Sequence, residues 1–142
     1  SVQWFANAAP QQHYFTIYEG REELPTRLRD VAAFDIVANN TDRKAGHCLL
    51  GADDRLYAID HGLCFHTEEK VRTVLWDFAG EPIDAELRSL LGAWSTESID
   101  PEFADLLDRD EVSAMVERAH RLAEAGILPS DPTGRRYPWP LV

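Results

Sequence analysis

Two aspartates 18 residues apart, Asp42 and Asp60, are the side chains of this sequence best placed to do chemistry together. Asp42 lies in the polar run Thr41, Asp42, Arg43, Lys44, and Asp60 follows the apolar run ending at Ile59 and precedes His61 and Gly62. Phosphoryl transfer needs one carboxylate to orient or deprotonate the attacking hydroxyl and a second to hold magnesium against the phosphates. Taken singly, each aspartate is equally at home in a turn or helix cap, because a short polar side chain competes for nearby backbone groups. What points to a shared site is the pair, held on neighbouring loops by one hairpin. Lys44, two residues beyond Asp42, would offset charge developing in a transition state, although a solvated loop lysine accounts for it equally well. Arg43 is expected to brace the loop through its guanidinium fork.

The elements that must position this pair are legible from periodicity. Leu24, Leu28, Val31, Ala32 and the run 34–37 predict a largely buried helix with Pro25 in its first turn. Residues 47–50 and 56–59, separated by a polar turn at 51–54, predict a short β-hairpin. Helices are expected at 85–94, 101–107 and 110–125, the last with Val112, Met115, Val116, Ala119, Leu122 and Ala123 on one side and Gly126 and Pro129 ending it. Residues 137–140 read as an extended, proline-rich tail. Trp76 and Phe78 are expected in the core, and His120 is expected to be structural.

The runs 41–50 and 57–65 together resemble the catalytic and metal-binding loops of the phosphatidylinositol 3- and 4-kinase-like group, including its bacterial offshoots within the protein-kinase-like fold. That resemblance implies an α+β, mainly helical large lobe whose hairpin carries both loops. It implies a single domain over 1–142, with an inter-lobe strand and linker at 1–12, the catalytic helix, loops and hairpin at 22–66 and a helical subdomain at 84–128. Only 41 residues precede Asp42, so the nucleotide-gripping small lobe is absent and expected upstream of Ser1 as a partner region, without which the fragment is expected to be inactive. Asp42 matches the catalytic aspartate with Lys44 beside it, and Asp60, His61 and Gly62 stand where a kinase has its metal motif. Gln3, Trp4 and Phe5 fall where adenine would be received, or form an apolar strand filling the core. His47 stands where the family carries an asparagine that binds a second magnesium, so it is expected either to meet metal or phosphate in an altered way or to mark reduced activity. The implied cofactors are ATP and magnesium, with manganese as a substitute, and the acceptor is a hydroxyl on a protein, small molecule or lipid. The other readings are a nucleotide-binding pseudokinase acting as an interaction module and a helical structural domain.

Composition narrows the partners. Twenty-five acidic against 14 basic residues give a net charge of −11, which disfavours attachment to nucleic acid or an anionic membrane surface. No apolar run long enough for a membrane span and no secretory leader is evident, so a cytoplasmic protein with free, buried thiols at Cys48 and Cys64 is expected. His47, His61, His66, Cys64 and Asp60 lie near one another in sequence but match no standard zinc spacing. A lobe separated from its partner would expose the apolar floor of its cleft, so dimerisation is a further expectation.

Overall fold

The computed structural model describes residues 5, 7–8, 11–18 and 24–142. Among these the architecture is α+β and mainly helical, with five α-helices and a two-stranded antiparallel sheet. Helices α1 (Tyr14–Tyr18) and α2 (Leu24–Ala38) precede strands β1 (Cys48–Leu50) and β2 (Leu56–Ala58). Helices α3 (Ala85–Gly92), α4 (Pro101–Ala104) and α5 (Arg109–Ala125) follow.

Helix α2 buries Leu24, Leu28, Ala32 and Asp35, positions three and four apart that share one face. The expectation that the whole run 34–37 is apolar and inward needs correction: Asp35 is fully buried, while Phe34 is half-exposed. A rotation of about 100° per residue separates these neighbours, and the buried face passes through 28, 32 and 35. The helix ends in a Schellman motif. Asn40 N–H donates to the carbonyl of Asp35 (2.9 Å) and Asn39 N–H to that of Ile36 (3.3 Å), with Asn39 left-handed at φ 54°. The Asn39 side chain then clamps the later loop, donating to the carbonyls of His66 and Glu68 and accepting from Lys70 N–H. The buried Arg118 of α5 donates through Nε to the carbonyl of Val37 (2.9 Å), placing a cation at the negative end of α2.

The hairpin forms where the two short apolar runs and the polar turn between them predict it, with Cys48 opposite Ala58 and Leu50 opposite Leu56. Helix α5 buries all six expected apolar residues together with Arg118, and Gly126 closes it at φ 68°. It packs against both α2 and α3. Helix α3 ends two residues before the expected Trp94, and α4 is a single turn at 101–104. Trp76 and Phe78 are buried as expected. The extended tail also has partners: the carbonyl of Arg136 accepts from Thr73 N–H and Trp76 Nε1, and that of Leu141 accepts from Ala45 N–H (2.7 Å). No helix among the described residues is long and apolar enough to cross a membrane.

Candidate active site

The junction between α2 and the hairpin is built on a buried ion pair. Asp35 and Arg43 are both fully buried, and the guanidinium donates to the carboxylate through Nε (3.1 Å) and Nη2 (2.9 Å). The remaining capacity of the carboxylate is taken by Asn40 Nδ2 and Thr73 Oγ1, each at 2.9 Å. A buried charge pair is costly to desolvate, and complete hydrogen bonding of this kind is what makes one tolerable. The third arm of the fork, Nη1, donates to the carbonyl of Ile59 at 2.7 Å. Arg43 is therefore the neighbour of Asp42 in the chain and is bonded to the neighbour of Asp60. One rigid side chain thus sets the relation between the two loops that carry the aspartates.

Further backbone bonds hold the first loop in place. Asp42 N–H donates to Asn40 Oδ1 (3.1 Å), and Arg43 joins the strand-like segment at Thr73 through a parallel bridge. Residues Ala45–His47 form a 3₁₀ turn that leads into β1, and Ile59 N–H closes the base of the hairpin on the carbonyl of His47 (2.9 Å).

Above this layer lie the groups singled out in the sequence. Lys44 Nζ pairs with the Asp42 carboxylate, and His47 Nε2 faces Asp60 Oδ2 at 3.7 Å. Lys44 N–H donates to His47 Nδ1 (3.4 Å), so the neutral imidazole carries its proton on Nε2, the nitrogen turned towards Asp60. Burial holds the His47 pKa below its ordinary value, against the opposing pull of the Asp60 carboxylate, so the ring is neutral near pH 7. Asp42, Lys44, His47 and Asp60 are thus joined in one continuous string of contacts. The Asp60 side chain is 62% exposed, and its backbone is left-handed at φ 56°. A non-glycine residue held there stores strain, and such strain gathers at functional sites.

The other candidates lie elsewhere. Gln3 and Trp4 fall outside the described residues. Phe5 is 85% exposed rather than buried in the core, and the nearby Asn7 and Ala8 join the hairpin at Gly51 and Ala52, the end opposite Asp60. His61 packs edge-on against Phe34, with ring centroids 4.9 Å apart. His66 turns to its own loop, accepting from Glu68 N–H, and His120 contacts the carbonyl of Trp94. Cys48 and Cys64 are free, but only Cys48 is buried, Cys64 being half-buried; burial raises their thiols to about 12 and about 11. Among the described residues no cluster of three or more histidines, cysteines or acids could hold a metal by itself. The donors on offer are instead the oxygens of two separate carboxylates.

Sequence reasoning missed Asp35 and Arg118. The one usable signal for Asp35 was a lone acid in phase with Leu28 and Ala32, with an arginine a short distance beyond the helix end.

No protein-family model and no solved structure matches the chain. The chain is similar to protein Rv2133c of Mycobacterium tuberculosis, at 42% identity over 121 aligned residues covering 80% of this chain. It spans 42% of the length of that relative.

Proposed function

We propose that the chain is the large lobe of a kinase-like phosphotransferase, similar to the phosphatidylinositol 3- and 4-kinase group, that moves the γ-phosphate of ATP to a hydroxyl acceptor. The observation that carries this reading is the buried Arg43, which ties the loop of Asp42 to the residue preceding Asp60. Two carboxylates on loops locked together from below, and open to solvent above, meet the requirement for positioning that dominates phosphoryl transfer.

In this reading Asp42 orients the acceptor hydroxyl and takes its proton, and Lys44, now paired with Asp42, moves to the transferring phosphate when substrate is present. Asp60 would hold magnesium, which when bound supplies charge neutralisation at the phosphate oxygens. His47, with its proton on Nε2, suits a role as hydrogen-bond donor to Asp60 or to a phosphate oxygen better than a role as metal ligand. The adenine contacts and the acceptor lie with regions beyond the described site, including the small lobe the resemblance implies.

The test is transfer of labelled γ-phosphate from ATP with magnesium by the chain joined to its nucleotide-gripping region. The expected result is turnover, self-labelling or ATP hydrolysis that Asp42→Ala and Asp60→Ala each reduce at least 1,000-fold, on the order expected for loss of a central catalytic group. Turnover indifferent to both substitutions sinks the reading. A pseudokinase is the second reading, favoured by the histidine at position 47 and by the engagement of Asp42 with Lys44. Binding of Mg-ATP without turnover, with either magnesium or manganese, is its signature.

A further inference from the structure

Helices α2 and α3 both pack on α5, and the space between them is a groove of about 440 Å³. Its walls are apolar: Ala33, Phe34 and Val37 on α2 face Leu87, Leu90 and Leu91 of α3 and Trp94 just beyond its end. Phe34 and Leu90 stay 39% and 57% exposed, an open apolar surface that α5 does not cover. The rim is one-signed. Of the described residues lining the groove, Asp30, Asp84 and Glu86 are acidic and none is basic. Asp84 is fixed in place as the N-cap of α3, accepting from Glu86 N–H at 2.8 Å, so its charge stays at the rim. Partial burial and the neighbouring Asp84 raise the Asp30 pKa, against the opposing pull of Arg29. The Phe34 ring that lines the groove packs against His61, the residue after Asp60.

We propose that this groove docks a segment of a partner protein carrying apolar side chains flanked by lysine or arginine. The apolar walls take the side chains, and the acidic rim pairs with the cations, which supply orientation and speed of encounter. A second copy meeting the first through this same face would bring two acidic rims together, and an anionic membrane would be repelled, so charge disfavours both as occupants. The inference concerns binding alone and does not depend on the phosphotransferase reading.

The experiment is fluorescence anisotropy with a labelled amphipathic peptide built only of leucine and lysine, against the same peptide with glutamate for lysine. The leucine–lysine peptide is expected to bind the parent chain and the glutamate peptide is not. Asp30→Asn combined with Asp84→Asn removes both charges while asparagine keeps the cap oxygen, and it should weaken binding about tenfold. Leu90→Glu, at an exposed position, should weaken it at least as much. Glu102→Gln combined with Glu124→Gln neutralises two acids away from the groove and should change affinity less than twofold. Equal loss in the control pair and the groove pair means attraction by bulk charge and overturns the proposal, as does binding unaffected by Leu90→Glu. A concentration-dependent dimer in sedimentation that Leu90→Glu abolishes also overturns it, by assigning the groove to a second copy.

Discussion

The candidate site has two layers that are built by opposite rules. Below, Asp35, Asn40, Arg43 and Thr73 are buried, and among the described residues their side chains hydrogen-bond only with one another and with the backbone. Above, Asp42, Lys44, His47 and Asp60 keep partial access to solvent and, at Asp60, a backbone at positive φ. A site that must receive charged ligands needs side chains able to exchange partners, and it keeps them in register only if something beneath cannot move. The ion pair is better understood as a spacer of fixed length between two loops than as a source of stability, since the cost of desolvating such a pair offsets most of its Coulomb gain.

The sharpest way to break this contrast is to remove one partner in each layer. Asp35→Ala leaves the Arg43 guanidinium buried and unpaired, and urea unfolding should show a loss of about 3–5 kcal/mol. Arg43→Lys should not restore it, because an ammonium cannot bridge the carboxylate and the Ile59 carbonyl as the planar fork does. Asp42→Asn, by contrast, should shift stability by less than about 1 kcal/mol, the range for an accessible ion pair. Comparable losses at 35 and 42 would mean that the layers are not distinct.

A smaller effect separates strain from function at Asp60. Glycine adopts a positive φ without a Cβ penalty, so Asp60→Gly should leave the chain at least as stable as the parent. Asp60→Ala should cost about 1 kcal/mol, because alanine lacks the local hydrogen bonding that lets aspartate tolerate this conformation. Thermal melts of the three proteins decide it, and an Asp60→Gly protein that is clearly less stable would show that the carboxylate contributes to the fold.

The smallest effect is in pH. Burial holds the pKa of both His47 and His61 below the ordinary 6.5. The unfolded chain therefore takes up protons near 6.5 that the folded chain refuses. Their contribution to stability is complete above pH 6.5 and is lost as the pH falls below it, through the lowered folded values. Melting temperatures between pH 7.5 and 5 should decline on the acid side, and His47→Asn with His61→Asn should make that decline shallower. An unchanged slope would assign the acid sensitivity to other groups.

Much of the scaffold was legible because period and punctuation are local properties. Two short runs, 47–50 and 56–59, around a polar turn marked the hairpin, and the spacing of Val112, Met115, Val116 and Ala119 marked the buried face of α5. Asp42 and Asp60 stood out because loops on either side of a hairpin lie close together whatever surrounds them. Helix ends were less legible: α3 stops at Gly92 although apolar residues continue to Trp94.

By itself, then, the sequence determined the order and kind of the elements from α2 onward, though not the short helix α1, together with the bracketing of one hairpin by two aspartates and the excess of acidic residues. Only the tertiary structure decided that Asp35 turns inward and finds Arg43, that Arg118 caps α2 from another helix, and that α2 and α3 leave an acid-rimmed groove between them. Periodicity states which way a side chain faces along its own element. Whether a buried charge is satisfied depends on partners from distant parts of the chain, and their identity exists only once the elements have packed.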